Sequence, residues 1–247
     1  MEINSQIEKE LRGQIELSSV ELEELKIIKR EVFRKKGKPE DLQAEFEQKA
    51  KFLGAGIPKT YWNLTWDDFV GDKEAKKLIQ KYCGSLEAAF EHGQGVIFSG
   101  DHGTGKTALS TLIGKEAIAK GYTVRYFPVA KVLGKILESF NDADLKRNLD
   151  TVMERVEFLI LDDLGKEYLG VRQQLNPMVQ LTFDAMLRER YNRVLVTIIS
   201  TNFDKSSIQN QYGDSMLSVL YGSTKYVEVK GHDFRLVRGK EFWEGLK

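Results

Sequence analysis

An open, mostly parallel α/β sheet clad in helices, preceded by a small helical module, is the fold this sequence predicts, and three observations predict it. Short runs rich in branched and aromatic residues recur through most of the chain. Segments with helical spacing separate them, and such alternation implies right-handed crossovers between parallel strands buried on both faces. The first 54 residues lack these runs and are rich in Glu, Lys, Gln and Leu.

In chain order, the helical module comes first. Ile3, Ile7 and Leu11, then Leu22, Leu25, Ile28 and Val32, fall on single helical faces. Pro39, Leu42 and Phe46 suit a further helix with proline near its start. The stretch from Gly54 to Phe69 mixes Gly, Pro and aromatics without periodicity and reads as a connector. The boundary therefore falls between a module at 1–54 and a domain at 55–247. Strands are expected at Gly95–Ser99, Thr123–Phe127, Phe158–Leu161, Val194–Ser200 and Tyr226–Val229. Helices are expected around Leu109, Leu112, Ile113 and Ala117, around Val129 to Leu137, and around Val179 to Leu187.

Composition excludes several classes. Across 247 residues, 37 basic and 37 acidic side chains cancel, so any affinity for nucleic acid must come from a local surface. Cys83 is the sole cysteine, which rules out an internal disulfide and a multi-cysteine zinc site. No segment reads as a secretory signal or a membrane span, and a cytoplasmic setting without membrane contact is expected.

The chemistry concentrates in three places. Gly100, Asp101, His102, Gly103, Thr104, Gly105, Lys106 and Thr107 match the phosphate-loop pattern and follow the apolar run Val96, Ile97, Phe98. Such a loop turns its amides toward phosphate oxygens and opens into a helix whose N-terminus favours anions. Ala108 completes the binding set. Lys106 is expected at the β and γ phosphates of ATP, and the Thr107 hydroxyl on Mg2+. Gly103 to Ala108 also fits a dinucleotide fingerprint, but that reading leaves the Lys-Thr pair unexplained and lacks its acidic residue after the second strand.

Second, the run Phe158-Leu-Ile-Leu leads into Asp162 and Asp163. At the carboxyl end of a parallel strand these face the ligand crevice, with Asp162 suited to the metal side and Asp163 to polarising an attacking water. Third, Asn202 follows Thr201 at the end of the strand Val194–Ser200, where a polar residue can orient the water near the γ phosphate. Alone, each of the last two patterns is an ordinary strand end or turn; together and in this order they make a nucleotide hydrolase site with Lys106, Asp163 and Asn202 as its catalytic residues.

These elements resemble the AAA+ superfamily of P-loop (ASCE) ATPases. They are more closely similar to the DnaC/DnaI-type replicative helicase loaders and the related IstB-type transposition helper ATPases. The likeness runs over residues 54–235: Ala-Gly-Ile-Pro-Lys-Thr-Tyr-Trp at 55–62, the phosphate loop at 100–107, Leu-Asp-Asp-Leu-Gly-Lys-Glu at 161–167, Ile-Ser-Thr-Asn-Phe at 199–203 and Gly-His-Asp-Phe-Arg at 231–235. The resemblance implies a parallel five-stranded sheet in the order 5-1-4-3-2, self-association in the ATP state, contact with single-stranded DNA, and an amino-terminal module that grips a hexameric replicative helicase.

Departures from the family pattern are informative. Zinc, carried in the amino-terminal module by DnaI-like relatives, has no ligand set here. Where loaders carry arginines, this chain has Ser215 and Val219, leaving Arg188, Arg190, Arg193 and Arg235 as candidate replacements. With 18 residues after Val229, the C-terminal helical lid of many AAA+ proteins is not expected. Lys131 and Lys135 share a helix face that could track phosphates, although a solvated face accounts for them better, and Tyr61, Trp62 and Trp66 read as connector packing. The function expected is a slow, partner-regulated ATPase that loads a helicase ring in DNA replication. The alternatives are an IstB-like protein that binds DNA and recruits a transposase, or an ATP-binding adaptor with little hydrolysis.

Overall fold

Residues 19–165 and 176–234 are described by the computed structural model. The expectations placed on Ile3, Ile7, Leu11, Lys166, Glu167, Arg235 and a C-terminal lid lie outside these residues. The chain divides into two compact units between Asn63 and Leu64.

The first unit contains helices α1 (Ser19–Phe33) and α2 (Pro39–Gly54), which pack against each other. Leu25, Ile28 and Val32 are buried on α1, as are Phe46 and Ala50 on α2, the faces that helical spacing marks. Pro39 occupies the first turn of α2, where its missing N–H costs nothing. The segment 55–63 goes with this unit: Ile57 is buried, and Trp62 is anchored by its indole N–H, which donates to Ile57 O at 2.8 Å. Trp62 thus packs, as the sequence suggests, and offers no exposed stacking face.

The second unit is built on five strands: β1 (Gly95–Ser99), β2 (Val124–Pro128), β3 (Phe158–Leu164), β4 (Val196–Thr201) and β5 (Thr224–Glu228). All pairs are parallel, in the order β2-β3-β4-β1-β5, which read from β5 is 5-1-4-3-2. The helices are α3 (Lys73–Gly84), α4 (Leu86–Glu91), α5 (Lys106–Ala119), α6 (Val129–Ser139), α7 (Ala143–Arg155), α8 (Pro177–Asn192) and α9 (Lys205–Ser223). Ile97, Leu159, Leu161 and Ile199 face one core with buried residues of α6, α7, α8 and α9. Strand alternation turns Val96, Phe98, Ile160 and Ile198 to the opposite face, where α5 packs along β1 to β4.

Of the five strands β1 keeps its expected limits, β2 and β5 shift by one or two residues, and the changes in the other two bear on the site. The fourth strand begins at Val196 rather than Val194, because Val194 N and Leu195 N still bond back to Tyr191 O and Arg190 O in the last turn of α8. Val194 adopts φ 57, an uncommon conformation for a β-branched residue, as the chain reverses. The third strand continues past Leu161 through a bulge to Leu164, which pairs with Thr201. Asp162 and Asp163 therefore lie within the strand rather than beyond it, and Thr201 closes β4 rather than following it.

Candidate nucleotide site

The phosphate loop leaves β1 at Ser99 and enters α5 at Lys106. Gly103 and Gly105 adopt φ 74 and 102, the left-handed region that favours glycine. At Gly103 space matters as much: a Cβ there would lie 1.9 Å from Asp233 Oδ1. Gly105 is the N-cap of α5 and has no side chain to cap it, so the first amides of a 14-residue helix are left for a ligand. Lys106 is buried, its ammonium donating to Gly100 O at 2.8 Å and Asp101 O at 2.6 Å. Thr104 Oγ1 donates to Asp101 O at 3.0 Å and tightens the same turn.

The residues after β5 brace this loop. Val229 N donates to Ser99 O at 2.7 Å, and Phe234 N donates to Gly103 O at 3.1 Å. Asp72, which caps α3 by accepting from Glu74 N and Ala75 N at 3.0 Å, also accepts from Lys230 N at 2.9 Å. Burial opposes ionisation of Asp72, yet these backbone donors and the Lys230 charge hold its carboxyl below the usual range.

Thr107 Oγ1 donates to Asp162 at 2.9 Å to Oδ1, joining the phosphate loop to the acidic strand. Asp162 is buried and receives two further hydroxyls, from Tyr126 of β2 and Ser200 of β4. Neither Tyr126 nor Ser200 is legible as a site residue from motifs. The signal that finds them is period two: Tyr126, Asp162 and Ser200 alternate onto the α5 face, where Thr107 lies. Asp163 is half-buried with φ 61, and its N–H donates to Ser200 Oγ at 3.0 Å. Asn202 Nδ2 lies 3.3 Å from His102 Nδ1, so the polar residue after β4 meets the phosphate loop. A cleft of about 520 Å3 opens beside Gly100, Asp101 and Asn202, within the range of small-ligand sites. It flanks Thr107 and Asp162 rather than containing them.

The donor set suits a magnesium nucleotide. A hydroxyl and a carboxylate are hard oxygen ligands, which suit Mg2+ shared with substrate phosphates. Among the described residues there is no group of three or more His, Cys, Asp or Glu that could hold a metal ion.

The candidate arginines resolve differently. Arg190 is fully buried and structural: it donates to Thr197 Oγ1 at 3.0 Å, Met153 O at 2.7 Å, Val156 O at 2.9 Å and Val196 O at 2.6 Å. Burial pulls its guanidinium down to about 9, so it remains charged at neutral pH. It cannot reach a neighbouring subunit, which removes it from the candidates. Arg193 pairs with Glu189 at 2.6 Å and Glu154 at 2.9 Å. Arg188 pairs with Asp184 at 2.8 Å and also donates to the Oγ of Ser215, which stands where the resemblance expects an arginine. Val219, the other such position, is buried. Trp66 donates its indole N–H to Glu116 at 2.7 Å and is likewise a packing residue.

Comparison with known proteins agrees with this geometry. The protein assigned as ATP-binding in insertion sequence IS21 of Pseudomonas aeruginosa is 26% identical over 167 residues, covering 65% of this chain and 59% of that protein. The match thus spans less than two thirds of that relative. The replicative helicase loader DnaC of Buchnera aphidicola subsp. Schizaphis graminum is 22% identical over 193 residues, 76% of each chain. A crystal structure of the DnaC helicase loader shares the fold with a TM-score of 0.60 and 23% identity, covering 70% of this chain and 100% of that one. The model of the IstB-like ATP binding proteins matches residues 64–241, which span the sheet, the phosphate loop and both carboxylates, and the chain belongs to that family.

Proposed function

We propose that this chain binds MgATP at the phosphate loop, hydrolyses it slowly, and acts in the cytoplasm during DNA replication by loading a hexameric replicative helicase onto single-stranded DNA. The observation that carries the nucleotide part is the 2.9 Å bond from Thr107 to Asp162, which brings together the groups that would hold the metal. Lys106 lies in the anion cradle to meet the β and γ phosphates, and magnesium would neutralise charge on those phosphates when bound. Asp163 is the residue to polarise water and Asn202 the one to orient it. Helicase loading is favoured by the DnaC relative, whose similarity covers 76% of this chain. The amino-terminal module at 1–54 is the part we assign to the helicase, and self-association belongs to the ATP state.

A second reading, in which the protein binds duplex DNA and recruits a transposase, is favoured by the IS21 relative. The two separate in one comparison. Co-purification of the full chain with a replicative helicase supports loading, and filaments on duplex DNA support the second. For the nucleotide reading, Lys106→Ala is expected to abolish ATP binding while the apo protein melts as the wild type does. Unchanged ATP affinity would remove the phosphate-loop assignment. Tight binding with negligible turnover, with or without DNA, would leave an ATP-binding adaptor.

A further inference from the structure

Three hydroxyls from three different elements converge on the Asp162 carboxylate, and motif logic accounts for only one of them. Thr107 is half-buried at the start of α5, where an arriving ligand can draw its hydroxyl away. Tyr126 and Ser200 are different: both are buried, at 7% and 0% exposure, and come from strands on either side of β3. They donate to opposite oxygens, Tyr126 to Oδ2 and Ser200 to Oδ1. A carboxylate held at both oxygens from within the sheet keeps its orientation when Thr107 turns to another partner.

Ser200 has a second bond. Its oxygen accepts the Asp163 N–H at 3.0 Å, and Asp163 is one of two non-glycine residues with positive φ among the described residues. A left-handed aspartate persists where its surroundings over-determine it, and such backbone clusters at functional sites. One hydroxyl therefore sets both acidic residues: Asp162 by donation to its side chain and Asp163 by acceptance from its backbone. Ser200 also stands two residues before Asn202, which follows the end of β4 at Thr201, so a shift of this strand end would move Asn202 together with the oxygen that bonds Asp162 and Asp163.

We propose that Ser200 and Tyr126 are positioning residues of this site, Ser200 aligning both carboxylates with Asn202 and Tyr126 fixing the second oxygen of the metal-side carboxylate. This rests on the MgATP reading above. Neither residue touches the nucleotide; each acts through Asp162 or Asp163. Groups that orient a metal-side ligand typically govern metal affinity by about 10- to 100-fold when removed. The burden should fall on the metal-dependent part of binding and on turnover, and leave metal-free nucleotide affinity alone.

The test uses the full chain with Tyr126→Phe, which keeps the ring, and Ser200→Ala. Affinity for a fluorescent ATP analogue is measured with chelator and across a magnesium titration, together with kcat, KM and the melting of the nucleotide-free protein. Tyr126→Phe is expected to raise the magnesium needed for half-maximal binding by about tenfold. Ser200→Ala is expected to do the same and also to lower kcat at saturating magnesium, because the Asp163 N–H loses the Ser200 oxygen as an acceptor. In both, metal-free affinity should stay within about twofold of wild type. If Ser200→Ala does not fold, the Tyr126→Phe magnesium titration decides by itself. A wild type whose nucleotide affinity ignores magnesium would overturn the MgATP reading. A magnesium-dependent wild type whose dependence both variants retain would overturn the positioning roles alone, as would an equal loss of metal-free affinity.

Discussion

At the scale of single residues, two adjacent aspartates have opposite surroundings. Asp162 is buried under three hydroxyls, whereas Asp163 is half-buried on a left-handed backbone. A group acting on the metal in the ground state and a group acting only in the transition state should separate on mutation. Asp162→Asn is expected to weaken the magnesium-dependent part of ATP binding. Asp163→Asn should keep MgATP binding and lose hydrolysis by about 100-fold or more, a common scale for removing a general base. Equilibrium binding and single-turnover kinetics on the two variants distinguish these outcomes; wild-type turnover in both would reduce the pair to an ordinary strand end.

At the scale of elements, Arg190 joins α8 to the end of α7 and to β4 through carbonyl groups rather than a carboxylate. Replacing it with methionine preserves much of the volume but takes a donor from Met153 O, Val156 O and Val196 O. Depriving buried acceptors costs about 1–3 kcal/mol each, partly offset by removing a buried charge. Arg190→Met is therefore expected to destabilise the domain by about 3 kcal/mol, read from chemical denaturation, and to leave ATP affinity of the folded protein unchanged. Lysine should not restore it, because a single ammonium cannot span the fork of acceptors. This residue also shows where sequence reading reaches its limit. The phosphate loop, β1, and the faces of α1 and α2 were legible because local pattern and local chemistry coincide there. The helices α3, α4, α7 and α9 escaped, since α3 and α7 are studded with charges on their outer faces and α9 is broken at Gly213, φ 83. Tyr126 and Ser200 escaped because a hydroxyl within an apolar strand looks like a tolerated substitution until register pairs the strands. Arg190 looked like any surface arginine, since nothing local reports that α8 buries it.

At the scale of the whole molecule, turnover should be slow. A guanidinium supplied to the transferring phosphoryl group is worth about 10³ to 10⁵ in rate, and Ser215 and Val219 cannot supply one. Arg190 is committed to the core, Arg193 to two glutamates, and Arg188 is held at Ser215 by contacts that an oligomer could redirect. Turnover well below about 1 per second is expected for dilute protein, with at most a shallow rise on concentration that Arg188→Ala removes. ATP hydrolysis per subunit across a wide concentration range, with and without single-stranded DNA, measures this. A steep rise that survives Arg188→Ala would point to a different source of positive charge.

The bracing of the phosphate loop by Val229 and Phe234 has a kinetic corollary. The loop occupies residues 100–107, yet its strand pairs with β4 and β5, with Val96 facing Ile198 on one side and Lys225 on the other. Closing such distant pairs is slow relative to local helix formation. A nascent chain carrying the whole loop and both carboxylates would still lack the two strands that hold β1 in place, and the carbonyls of Ser99 and Gly103 would lack their donors. On the MgATP reading, nucleotide capture is therefore expected to come late, once β5 has docked beside β1.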